Sequence, residues 1–125
     1  MTPFIVFKDD KPWFTAGSPG GSRIITAVLQ MIVNVIDHGR GIADALAMPR
    51  IHHQWYPDRL QVESMHSPDT LAILRERGHD VEDVQSTFTS LQAVAVEDGV
   101  FQGAADPRRP DAAAAAPARI NVDQD

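Results

Sequence analysis

The 125-residue chain contains no cysteine, which excludes disulfides, thiol nucleophiles and thiolate metal sites. Positive charge is scarce: eleven Lys and Arg residues stand against seventeen Asp and Glu, for a formal net charge of −6. Lys8 and Lys11 are the only lysines, and the nine arginines are scattered rather than gathered into a stripe. That pattern argues against nucleic acid or an anionic membrane as partner. Long hydrophobic runs are missing too. The most apolar stretch, Ile24 to Ile36, is broken by Thr26, Gln30 and Asn34 and falls short of the about 20 residues a span requires. Met1 to Val6 lacks the basic and long apolar regions of a signal peptide. No internal repeat is visible. What remains is 43% hydrophobic, ordinary for a packed core in one small domain or part of a larger one.

Phe4 to Lys8 and Trp13 to Ala16 read as paired strands around the polar turn Asp9-Asp10-Lys11, with Pro12 making the second strand's start irregular. A helix is expected from about Ser22 to Asp37. Its polar positions, Arg23, Thr26, Gln30, Asn34 and Asp37, recur every three or four residues on one stripe, and the rest is apolar. Such a helix is expected to be buried on most sides, between a sheet and another helix. Gly39 and Gly41 suit a left-handed C-cap. Ile42 to Ala47 reads as a short helix stopped by Pro49, and Arg50 to Trp55 and Leu60 to Glu63 as strands joined by Tyr56-Pro57-Asp58-Arg59. Ser67, Pro68 and Asp69 open a helix that ends at Gly78, with Leu71, Ile73 and Leu74 facing inward. Leu91 to Val96 and Val100 to Gly103 form a hairpin around Glu97-Asp98-Gly99. From Pro110 the chain becomes an Ala/Pro-rich, low-complexity tail, residues 110–125, expected to be frayed.

The segment with most chemical content is Gly17-Ser18-Pro19-Gly20-Gly21-Ser22, which runs directly into the long helix. Glycines at a helix start leave backbone N–H groups unpaired and approachable, at the positive end of the helix dipole. Such a turn can hold a phosphate, a carboxylate or the oxyanion of an acyl-transfer intermediate. It is equally a turn that only packs helix close to strand. A P-loop is poorly supported, because no Lys-Ser/Thr pair follows, and the dinucleotide fingerprint is absent. Ser18 and Ser22 have no evident base and do not form a nucleophile elbow. His52 and His53, adjacent on a strand, point to opposite faces and cannot chelate one metal, and His38, His66 and His79 lack ligand spacing. One buried, hydrogen-bonded histidine and one exposed is the expectation. Asp80, Glu82 and Asp83 read as a solvated edge, and Asp106-Pro107-Arg108-Arg109 as a solvated turn unless the fold carries it to the site.

Three blocks carry a family resemblance: Thr15 to Thr26, Pro49-Arg50-Ile51-His52-His53-Gln54-Trp55, and Ala105-Asp106-Pro107-Arg108. In order and spacing they resemble the C-terminal part of the gamma-glutamyltransferase (gamma-glutamyltranspeptidase) small subunit, over residues 1–109. The resemblance implies an α+β fold, a partial αββα sandwich of the N-terminal nucleophile hydrolase type. It implies that Gly20 and Gly21 form the oxyanion hole with their backbone N–H groups. The nucleophilic threonine, the glutamyl-binding residues and the large-subunit arginine belong to upstream segments, and Thr2 does not match the nucleophile. The implied partners are a gamma-glutamyl small molecule of the glutathione class and the upstream large- and small-subunit segments. No cofactor or metal is implied, and the family setting is periplasmic or extracellular. The alternatives are a non-catalytic interaction module or remnant, and part of a related N-terminal nucleophile amidase or acylase.

Overall fold

The computed structural model describes residues 3–84 and 88–115. Its elements in chain order are β1 (Phe4–Lys8), β2 (Lys11–Gly17), α1 (Arg23–Ile36), α2 (Ile42–Ala47), β3 (Ile51–His52), β4 (Leu60–Glu63), α3 (Pro68–Glu76), β5 (Val81–Val84), β6 (Gln92–Glu97) and β7 (Val100–Ala105). They build a four-stranded sheet of order β1-β2-β6-β7 and a three-stranded sheet of order β3-β4-β5. The larger sheet is antiparallel throughout. In the smaller one β4 and β5 run parallel, the crossover being α3.

Two hairpins set the register of the larger sheet. Asp9 (φ 52°) and Asp10 (φ 58°) both adopt the left-handed conformation of a tight two-residue turn, as do Asp98 (φ 51°) and Gly99 (φ 77°). Pro12 has no N–H for the ladder, and a register shift between Val6 and Phe7 accommodates it. Phe14, Ala16, Ala93, Ala95 and Ala104 face one side, where Ala27, Met31 and Val35 of α1 and Leu46 of α2 complete the core. Small alanines on the strands let α1 and α2 lie close to the sheet. A satellite core of Leu60, Val62 and Leu71 joins α3 to the smaller sheet. Ser67 caps α3 by accepting from the Thr70 N–H at 3.2 Å.

Several sequence expectations need correction. Gly41 is not left-handed; it is the extended N-cap of α2 (φ −63°, ψ 154°), and Gly39 alone of the pair takes positive φ. The strand expected over 50–55 shortens to Ile51–His52, because the chain turns away at Trp55 (φ 72°). Ile73 is exposed, since α3 is only two to three turns long and buries Leu71. Of the expected tail, residues 111–115 are described, and Ala114 lies against β7 beside Gly103; 116–125 lie outside the described residues.

The largest correction concerns α1. It is not buried on most sides. Ile25 is 75% and Leu29 57% exposed, while Arg23, Thr26, Gln30 and Asn34 of the polar stripe are half-buried and only Asp37 is exposed. Gln30 explains the orientation. Its Nε2 donates to the Ile51 carbonyl at 2.8 Å and its Oε1 accepts from the Ile51 N–H at 2.9 Å. The side-chain amide thus completes the open edge of β3 as another strand would. No described helix is long and apolar enough to cross a membrane. With Ile25 and Leu29 uncovered, we expect the isolated chain to self-associate. The double substitution Ile25→Lys/Leu29→Lys should shift sedimentation-velocity profiles towards monomer with helical circular dichroism retained; an unaltered profile would count against this role for the face.

Candidate functional site

The glycine turn sits where β2 ends and α1 begins. Gly20 (φ 138°) and Gly21 (φ 60°) occupy backbone regions that L side chains rarely adopt. Space constrains Gly20 as well, because a Cβ there would stand 2.7 Å from Thr89 Oγ1 and 2.8 Å from Thr89 Cβ. Gly21 has nothing within 4 Å of its Cβ position, so it is open on the side where a side chain would project. The Gly20 and Gly21 carbonyls accept from Arg23 and Ile24 at 3.3 and 3.2 Å, closing the first turn of the helix. Among the described residues no acceptor meets the Gly20 or Gly21 N–H. α1 has no acidic residue in its first turn and no side-chain N-cap bond, so its positive end is uncompensated.

Two hydrogen-bonded systems hold this turn from either side. On one, Ser18 Oγ, Thr89 Oγ1 and the Pro19 carbonyl converge, with Thr89 donating to Pro19. Ser18 is fully buried. On the other, Ser22 Oγ donates to Gln54 Oε1 at 2.8 Å, and His52 Nε2 lies 3.1 Å from the same oxygen. A carbonyl oxygen only accepts, so Nε2 carries the His52 proton in this amide orientation. In neutral His52, Nδ1 then accepts from Thr26 Oγ1 at 2.8 Å. His52 is buried, while His53, just past the end of β3, is exposed and meets Asp58 Oδ1 at 3.0 Å. Ser22, Arg23, His52, Gln54, Arg59 and Gln61 line a cleft of about 280 Å³ beside the turn. A larger groove, about 720 Å³ at the hairpin turns near Trp13 and Phe101, lies at the far end of β2 and holds none of these groups.

Asp106-Pro107-Arg108 is not a solvated turn. Asp106 is 1% exposed and pairs with Arg50 at 2.7 Å and with Arg108 at 3.1 Å. Arg108 also pairs with Glu63 at 2.6 Å. Arg50 reaches on to the Thr89 carbonyl at 3.0 Å, so the charged cluster supports the segment that holds the glycine turn. Burial alone would raise the Asp106 pKa, but the Leu91 and Arg108 N–H groups and Arg50 hold its carboxyl below the ordinary range. Burial lowers Arg50 despite its bond to Asp106, whereas Arg108, also buried, is raised by Glu63 and then Asp106. Both guanidiniums stay charged at any physiological pH. Sequence reading missed Thr89 and Glu63. Neither has a distinguishing pattern: Thr89 sits between Phe88 and Ser90 in a mixed stretch before β6, and Glu63 ends a short strand.

The profile of the family described as gamma-glutamyltranspeptidase matches residues 1–116. The chain belongs to this family. It is 53% identical over 112 residues to the glutathione hydrolase proenzyme of Escherichia coli (strain K12), covering 89% of this chain and 19% of that protein. The corresponding proenzyme of Bacillus subtilis (strain 168) is 38% identical over 115 residues, covering 90% and 19%. The chain thus spans about a fifth of the curated relatives it matches. A mutant Helicobacter pylori gamma-glutamyltranspeptidase superimposes with a TM-score of 0.83 at 41% identity, over 87% of this chain and 61% of that one. A cephalosporin acylase from Bacillus halodurans superimposes with a TM-score of 0.79 at 28% identity, over 85% and 20%. The α+β architecture is therefore that of the N-terminal nucleophile hydrolases, and the relatives are enzymes.

Because the Asp106 pKa is lowered on folding, its stabilisation is complete above the unfolded value, about 3.9, and is lost as pH falls through the folded value. Asp106→Asn should cost about 3–5 kcal/mol at pH 7 by leaving Arg50 unpaired in the interior. Urea midpoints at pH 7 and pH 3 should differ less in the variant than in the parent; equal acid sensitivity would remove Asp106 from this account.

Proposed function

We propose that this chain contributes the oxyanion-hole turn of a gamma-glutamyl-transferring, glutathione-hydrolysing enzyme. The observation that carries the reading is the pair of N–H groups at Gly20 and Gly21, without acceptors among the described residues, at an uncompensated helix start. A threonine hydroxyl from an upstream segment attacks the gamma-carbonyl carbon of a glutathione-like amide. Its carbon–oxygen double bond becomes a single bond to an oxyanion, and the two N–H groups stabilise that charge. Collapse breaks the carbon–nitrogen bond, with the threonine hydroxyl proton passed by that threonine's own amine to the leaving nitrogen, and leaves a gamma-glutamyl ester, which water or an amino-acid acceptor then cleaves. The turn supplies no proton and no nucleophile. On this reading the chain is inactive alone and works with the upstream large- and small-subunit segments.

The likeness to a cephalosporin acylase supports a second reading, in which the same turn serves a related amidase with another acyl group. Co-expression with the upstream polypeptide of the Escherichia coli relative separates these possibilities. Gamma-glutamyl-p-nitroanilide hydrolysis is expected from the assembled pair and not from this chain alone. Activity of the lone chain would overturn the assignment of the nucleophile. An associated but silent pair that cleaves other acyl amides would favour the second reading; silence on every amide would favour an interaction module. In the active pair, replacing the Gly20–Gly21 amide by an ester removes one donor and should lower kcat about 100- to 1,000-fold.

A further inference from the structure

We propose that Thr89 is a positioning residue for the Gly20–Gly21 turn, holding its donors in register through Pro19 and Ser18; this rests on the oxyanion reading above. Thr89 is 8% exposed and belongs to no strand, yet its hydroxyl, its Cβ and its carbonyl are all engaged. Its hydroxyl donates to the Pro19 carbonyl, one residue before Gly20, and meets Ser18 Oγ. Its Cβ and Oγ1 occupy the space where a Gly20 side chain would lie, so the turn rests directly on it. Its own carbonyl is fixed by the Arg50 guanidinium at 3.0 Å, and Arg50 is in turn paired with buried Asp106. Thr89 is therefore the point at which a rigid, charge-anchored interior meets a turn built of conformationally free residues. Glycine has no side chain with which to fix its own N–H direction, so that direction has to be imposed from outside. Thr89 touches neither substrate nor reacting atoms; its effect passes through the Pro19–Gly20 backbone.

The test uses the co-expressed pair, with rates normalised to the fraction of folded enzyme. Thr89→Val keeps the shape and removes the hydroxyl. It should lower kcat about 10- to 100-fold with KM nearly unchanged, because misdirected donors weaken transition-state rather than ground-state binding. Thr89→Ser, which keeps the oxygen, should restore most of the rate. A Thr89→Val kcat within twofold of the parent, or a failure of Thr89→Ser to rescue, overturns the proposal. If Thr89→Val yields no folded enzyme, Ser18→Ala decides: a fall in kcat at constant KM supports the clamp, and an unchanged kcat overturns it. The ester at Gly20–Gly21 separates the two levels. An ester that lowers kcat while Thr89→Val does not removes the clamp alone; an ester without effect removes the oxyanion reading and the clamp with it.

Discussion

Four charges buried together, Arg50, Glu63, Asp106 and Arg108, are the constraint on which the remaining arrangement depends. Taking ions out of water is costly, and attraction between partners offsets that cost only when the remaining lone pairs and N–H groups are also satisfied. Here they are. Asp106 Oδ2 accepts from Arg50 and the Leu91 N–H, and Oδ1 from the Arg108 backbone and guanidinium. Glu63 Oε1 accepts from the Phe88 N–H, and Oε2 from the Arg50 N–H and Arg108. The guanidiniums spend their other donors on the Thr89 carbonyl and on the Leu46 and Met48 carbonyls, which the C-terminus of α2 leaves without helical partners. One network thereby joins the end of β7, the start of β6, the end of β4 and the end of α2. No apolar contact of similar size fixes direction as well as proximity, because each hydrogen bond specifies an angle.

From this anchor two paths lead to the glycine turn. The shorter runs from Arg50 through the Thr89 carbonyl to the Pro19 carbonyl. The longer runs along β3, where Ile51 is held by Gln30 and His52 connects Thr26 to Gln54 and Ser22. Both begin at the Arg50–His52 stretch. A two-residue strand contributes little to sheet stability, but it sets the spacing between the charge network and the helix start. This accounts for the match between the Pro49–Trp55 block and the glycine block in the resemblance: they are two halves of one hydrogen-bonded assembly.

Much of the fold was legible because it follows local rules. The hairpins at Asp9-Asp10 and Asp98-Gly99, the Ser67 cap, α2 and β4 lie where turn chemistry and periodicity place them. The glycine turn was legible as a candidate because conformational freedom is a property of the residue itself. What was not legible depends on partners far apart in sequence. Asp106 lies 56 residues from Arg50, and Arg108 lies 45 from Glu63; each reads locally as an ordinary solvated charge. Thr89, 70 residues from Pro19, has the same character. In α1 the periodicity was read correctly, but the expected burial on most sides was not found, because Ile25 and Leu29 face outward. A polar stripe faces water by default, and only the open edge of β3 gives it a better place.

That inversion constrains how the chain can exist. A free amphipathic helix would turn Ile25 and Leu29 inward and the Thr26–Gln30 stripe outward. Doing so here would break both Gln30 bonds to Ile51 and leave that strand edge unpaired beside the core. Ala27, Met31 and Val35 pack on the sheet, while the second apolar face, that of Ile25 and Leu29, is held outward by polar bonds on the other side of the helix. The far face of the larger sheet is in the same condition, with Ile5 and Phe101 well exposed. One helical layer over one sheet, apolar on both outer surfaces, is half of a layered sandwich. The same bonds from α1 to β3 that steady the helix start behind the glycine turn keep Ile25 and Leu29 on the outer surface.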